Sequence, residues 1–119
     1  MGSGRKESRP HTWVPVEAVF YVTGSNQCPA RDFINELEEG FSAGIYADIA
    51  AFAKDGDRAA VSWKWIKGHT PMRELRTGNY RTYFVVDETR MWVLEASKKE
   101  DQDAAIERAA KRMKKVRGG

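Results

Sequence analysis

The chain is poor in cysteine. Cys28 stands alone in 119 residues, which excludes an internal disulfide framework and any multi-cysteine zinc site. A reducing, cytoplasmic setting is therefore the expectation. Histidine is nearly as scarce: His11 and His69 lie far apart in sequence, so no dedicated metal site and no cofactor is expected. No apolar run approaches the roughly 18 residues that a membrane span needs. No basic start leads into an apolar signal core. With 4 prolines and 10 glycines, neither a collagen repeat nor extended low complexity is present.

What is present is the composition of a folded domain, 41% apolar and 31% charged. The length falls in the range of about 100–150 residues most common for one domain. Residues 1–12 show no hydrophobic periodicity and read as a flexible arm; 13–119 read as one domain. The net charge is +3, unevenly spread. Residues 16–57 hold Arg31 and Lys54 against eight acids, whereas 98–119 hold eight bases against four. A basic second half is the usual footprint of a polyanion-binding face, and equally of a solvated lysine-rich surface.

The periodicity changes along the chain. Residues 16–22, β-branched and aromatic, read as a strand. Pro29 at a first helical position, then Ala30, Phe33, Ile34 and Leu37, predict a helix closed by Gly40. Ser42 is placed to cap a second helix over 43–54 with the stripe Ile45, Ile49, Phe52 and Ala53, ended by Gly56. Residues 72–76, 80–86 and 91–96 read as three strands joined by 77–79 and 87–89, an antiparallel meander. Strand 80–86 is apolar on both faces and is expected at the sheet centre. Asp101 is placed to cap a last helix to about 116, with the stripe Ile106, Ala109, Ala110, Met113 and Val116. The expected fold is α+β, in the order β-α-α-β-β-β-α, with helices packed on the sheet.

The segment from Met72 to Asp87, with Glu74-Leu75-Arg76, Gly78 and Tyr80-Arg81, resembles the RelE/ParE superfamily of toxins. Trp92-Val93-Leu94, Lys98-Lys99 and the basic 101–116 helix extend the likeness to the HigB-like, phage-derived branch of type II toxin–antitoxin systems. The resemblance spans roughly residues 16–116, and its motifs concentrate in 72–99. It implies a metal-independent, ribosome-dependent mRNA endoribonuclease that inhibits translation. The RNA's own 2′-hydroxyl would be the nucleophile. The implied partners are a cognate antitoxin and mRNA on the ribosome, with no membrane, and with operator DNA reached only through the antitoxin. The rival implication is a non-catalytic ParE-like inhibitor of DNA gyrase, or a degenerate toxin that acts only by binding.

By that resemblance Arg81 matches a phosphate-binding catalytic arginine. Arg76 stands beside it across the short turn. Both also suit structural ion pairs, with Glu74 or Glu95 as partner. Lys98 and Lys99 fall where the family carries a basic pair for phosphate, and Arg73 lies on a strand where relatives carry lysines. Lys64 and Lys67, interleaved with Trp63 and Trp65, fit phosphate contacts beside stacking rings, although such tryptophans more often pack on a core edge. Where many HigB-like sequences read His-Ala-Phe, this chain reads Glu95-Ala96-Ser97. Glu95 is thus a candidate base, or a clamp for Arg76 or Arg81, and the clamp is preferred. His69, in a turn-like loop, has the right chemistry for proton transfer but is more often just exposed.

Overall fold

The computed structural model describes residues 12–117. The arm expected at 1–12 lies, apart from Thr12, outside them. The elements run β1 (Glu17–Phe20), α1 (Pro29–Asn35), α2 (Glu39–Asp55), β2 (Ser62–Trp65), β3 (Arg73–Thr77), β4 (Tyr80–Asp87), β5 (Arg90–Lys98) and α3 (Gln102–Val116). The strands form one five-stranded sheet in the order β1-β5-β4-β3-β2. β2 through β5 are antiparallel neighbours, whereas β1 runs parallel to β5. The fold is α+β, with three corrections to the expected element string.

The first is β2, an additional strand ahead of the meander. Ser-Trp-Lys-Trp looks like a mixed aromatic and basic stretch, yet its period-2 alternation fits an edge strand, and it pairs with β3 from Ser62↔Arg76 to Trp65↔Arg73. The second is the parallel pairing of β1, which makes the sheet mixed rather than purely antiparallel. The third lies at the α1–α2 joint. α1 stops at Asn35 and α2 begins at Glu39, so Gly40 is helical rather than a terminator. Ser42 is inside α2; its hydroxyl donates to the Ile34 and Leu37 carbonyls at 2.5 and 3.4 Å. It thereby satisfies the orphan end of α1 instead of capping α2.

Gly56 ends α2 as expected, at φ +63°. A Cβ there would sit 2.1 Å from the Trp13 ring, so both its left-handed backbone and its bare surface are required. Asp101 precedes α3 as expected, but its side chain makes no capping hydrogen bond. β4 is central, with an unbroken run of buried residues from Arg81 to Val85.

The two faces of the sheet are covered separately. α1 and α2 lay Ala30, Ile34, Ile45, Ile49 and Phe52 on Leu75, Phe84, Met91 and Val93. α3 lays Ala105, Ala109 and Met113 on Tyr83, Val85 and Leu94, with Ile66 and Met72 beside them. Burying one such large apolar side chain contributes about 1.5–3 kcal/mol. A bulge in β5 sets what α3 meets. Tyr83 pairs with Glu95 but Phe84 pairs with Val93, which leaves Leu94 as the extra residue. Leu94 and Glu95 are thereby both turned toward α3, as bulges re-aim side chains.

Candidate functional site

Strand alternation sends every second side chain of β3, β4 and β5 to the α3 face. In register these are Glu74, Tyr83 and Glu95 in one row, and Arg76, Arg81 and Ser97 in the next. Lys64 extends the first row from β2, opposite Glu74. Tyr80 packs on the other face, against Phe33 and Phe41, and this separation of Tyr80 from Arg81 follows the sequence expectation.

Glu74 is 1% exposed and stands between two arginines. Its Oε2 accepts from Arg76 Nε at 2.8 Å, and the same oxygen is 3.9 Å from Arg81 Nε. The Arg76 side chain is 40% exposed and that of Arg81 only 8%. Arg81 Nη1 donates to the Gly78 and Tyr80 carbonyls at 2.8 and 3.0 Å. It thus closes the 77–79 turn, where Gly78 takes φ +58°. A buried carboxylate with a paired guanidinium avoids the cost of an isolated interior charge.

Glu95 is held differently from the sequence expectation. Its Oε2 accepts from Arg108 Nε at 2.5 Å and lies 3.3 Å from Arg112 Nη1. Arg112 also donates to the Leu94 carbonyl at 2.8 Å. Glu95 is a clamp, but for α3 rather than for Arg76 or Arg81. The signal for this was present: Arg108 and Arg112 are four apart and so share one face of a helix.

Tyr83 is fully buried, with its hydroxyl 3.4 Å from Ser97 Oγ. Burial pushes this phenol above its ordinary value; the Ser97 hydrogen bond pulls it down, Glu74 pushes it up, Arg81 pulls it down and Glu95 pushes it up.

The other candidates are dispersed. Arg73 belongs to the α1/α2 face: its guanidinium lies 4.0 Å from the Trp65 ring and 4.9 Å from the Trp63 ring, and it pairs with Asp57 at 2.6 Å. Because Trp63 and Trp65 pack with Arg73 while Lys64 pairs with Glu74, rings and lysine lie on opposite faces of β2. One RNA strand cannot use both together there. Lys98 pairs with Tyr80 in register and so belongs to the α1/α2 face, whereas Lys99 caps the Asn79 carbonyl with its backbone N–H. Lys67 is exposed in the β2–β3 connection, and His69 is half-buried in the same loop.

Among the described residues no group of three or more His, Cys, Asp or Glu side chains could hold a metal ion, and no helix is long and apolar enough to cross a membrane. The structure therefore brings together Arg76, Arg81 and Glu74, with Glu95, Tyr83 and Ser97 behind them. Neither a protein-family model nor a curated protein sequence matches this chain.

Proposed function

We infer that this chain is a HigB-like toxin of the RelE/ParE superfamily, which cleaves mRNA on the ribosome and is neutralised by a cognate antitoxin. The observation that carries this reading is the Arg76–Arg81 pair. The two cations face each other across β3 and β4, with the buried Glu74 bonded to Arg76 and 3.9 Å from Arg81. The Glu74-Leu75-Arg76 and Tyr80-Arg81 motifs and the order of the elements support the same reading.

In the reaction the RNA 2′-hydroxyl gives up its proton to a base as its oxygen bonds to phosphorus, the bond from phosphorus to the 5′-oxygen breaks, and the departing oxygen takes up a proton, so that the two transfers balance. The products are a 2′,3′-cyclic phosphate and a 5′-hydroxyl. Negative charge grows on the phosphoryl oxygens, and preorganised guanidinium groups stabilise it. Arg76, the more exposed of the two, is the first contact for a phosphate. Arg81 lies behind it, fixed by two carbonyls. Glu95 is engaged by α3, so its role is to hold that helix.

The test is ribosome-programmed cleavage of a defined mRNA, with circular dichroism in parallel. Arg81→Ala is expected to lose about 100–1000-fold in rate, the cost of one oxyanion-type donor. Arg81→Lys is expected to recover part of it, because an ammonium lacks the planar fork. Full cleavage by a folded Arg81→Ala protein would remove Arg81 from the chemistry.

A binding-only toxin, acting on gyrase or another target, is the second reading. It is favoured by the fact that Arg81 Nη1 and the Glu95 carboxylate are already engaged within the free chain. Expression in bacteria separates the two. Frame-dependent mRNA cuts support the nuclease, whereas a DNA-damage response with intact mRNA supports the binder.

A further inference from the structure

Among the described residues two buried side-chain nitrogens lack a hydrogen-bond partner, Arg73 Nε and Arg81 Nε. The first is accounted for by its setting, since the Arg73 guanidinium lies over the rings of Trp63, Trp65 and Phe52, where ring faces stabilise a cation without hydrogen bonds. Among the described residues no ring lies over Arg81. The acceptor that faces its Nε is Glu74 Oε2, at 3.9 Å, just beyond hydrogen-bond reach. That oxygen accepts from Arg76 Nε at 2.8 Å and leans toward it.

A buried carboxylate between a buried and an exposed guanidinium has two arrangements of similar chemistry. In one, seen here, Glu74 bonds the exposed Arg76. In the other, Glu74 bonds Arg81, and Arg76 is free. The second is reached by moving one carboxylate about 1 Å, since charge-assisted N–H···O contacts close near 2.7–2.9 Å. Glu74 never loses a cation in the exchange, so the buried acid is never left unpaired.

We propose that Glu74 is a positioning residue that hands over from Arg76 to Arg81 when Arg76 takes an anionic phosphate oxygen. The handover frees the Arg76 fork for the phosphodiester and, in the same movement, satisfies the orphan Arg81 Nε. It adds a carboxylate contact to the carbonyl contacts of Arg81 at the moment the phosphate arrives. As a step in catalysis, this rests on the nuclease reading above; as a property of the three side chains, it does not.

The test reads the arginine Nε–Hε NMR signals of the full chain. In Arg76→Gln, with no anion present, the Arg81 signal is expected to move downfield, because Glu74 is then free to accept from it. Titrating inorganic phosphate into the wild-type chain is expected to move the Arg81 signal in the same direction while the Arg76 signal changes. In Glu74→Gln the phosphate-induced Arg81 movement is expected to vanish. An Arg81 signal that stays at its wild-type position in Arg76→Gln, or through the phosphate titration, overturns the handover, and the titration decides the matter even if the variants fold poorly. The kinetic arm is separate. Glu74→Gln is expected to lower kcat by about 100-fold with little change in KM, the scale of a 1 Å misplacement. Failure of the wild-type protein to cleave mRNA would reject the nuclease reading and leave the handover to the NMR result; cleavage with an unmoved Arg81 signal would reject the handover alone.

Discussion

On the α1/α2 face Phe52 meets Phe84 at 4.7 Å, Trp13 at 5.6 Å and Trp63 at 5.8 Å between ring centroids. On the α3 face the same central strands bury Glu74, Arg81, Glu95 and Ser97. Both faces are covered by helices and both hold an arginine with an unpartnered Nε, but the two arginines live differently. Arg73 is sandwiched by rings and completes a packed wall. Arg81 is held by backbone carbonyls beside a carboxylate it does not quite reach. Buried charge costs stability that apolar side chains of the same volume would not, and sites that break the local rules of a core are where function is expected. The contrast sets a packed apolar wall on one face against buried charge on the other, and the proposed chemistry lies on the charged one.

The largest effect should come from the apolar face. Phe52→Ala is expected to cost about 3–5 kcal/mol in chemical denaturation, the range for a buried aromatic truncated in a core. A loss no larger than that of an exposed substitution would break the division of labour. Next comes Glu95→Gln, expected to cost about 1.5–3 kcal/mol through weakened hydrogen bonds to Arg108 and Arg112. It should raise amide exchange in α3 more than in α2; equal rises in both helices would mean that the clamp is not local. Arg73→Ala should cost about 1–2 kcal/mol, mainly through lost ring contacts, and leave mRNA cleavage intact. A cleavage defect without a stability defect would move Arg73 to the functional side.

The smallest effect tests the buried phenol. Tyr83 is raised above its ordinary value in the folded chain, so the native state holds that proton more tightly than the unfolded chain does. Its stabilisation is complete below the unfolded value of about 10 and is lost as pH rises through the folded value. Stability should therefore fall above pH of about 10 in the wild type and fall less steeply in Tyr83→Phe. Parallel pH profiles for the two proteins would contradict the assignment.

The apolar face was readable because its pattern is strong. Ile45, Ile49 and Phe52 recur at helical spacing, and β4 alternates cleanly between Tyr80, Phe84 and Val86 on one side and Tyr83 and Val85 on the other. The charged face was harder. Arg76, Arg81 and Glu74 could be placed near one another from the short 77–79 turn, which fixes register. For Glu95 the spacing of Arg108 and Arg112 offers a pair of partners on one helix face, but an extra residue at Leu94 shifts register inside β5, and no local signal announces the bulge that turns Glu95 toward them. β2 was missed for a related reason: its alternation puts tryptophans over a cation rather than over aliphatic residues, so the pattern looked like a binding stretch. The α1–α2 boundary moved because a glycine next to a short joint tolerates helix as readily as termination.

The parallel strand β1 has a consequence for how the chain reaches this structure. β3, β4 and β5 meet through short connections, whereas Glu17 must find Arg90 and Phe20 must find Val93 across nearly the whole intervening chain. Closing that loop costs entropy before any contact rewards it. The hairpins are thus expected to form early and β1 to dock late, although it precedes them in the chain. Until β5 is complete, β1 has no neighbour in the sheet, and α1 lacks the strand it packs against. In pulse-labelling exchange the amides of Tyr83 to Val85 should be protected before that of Tyr21, which bonds the Val93 carbonyl at 2.9 Å. Assembly of this domain is therefore governed by its most distant pairing, at an edge of the sheet that carries none of the proposed chemistry.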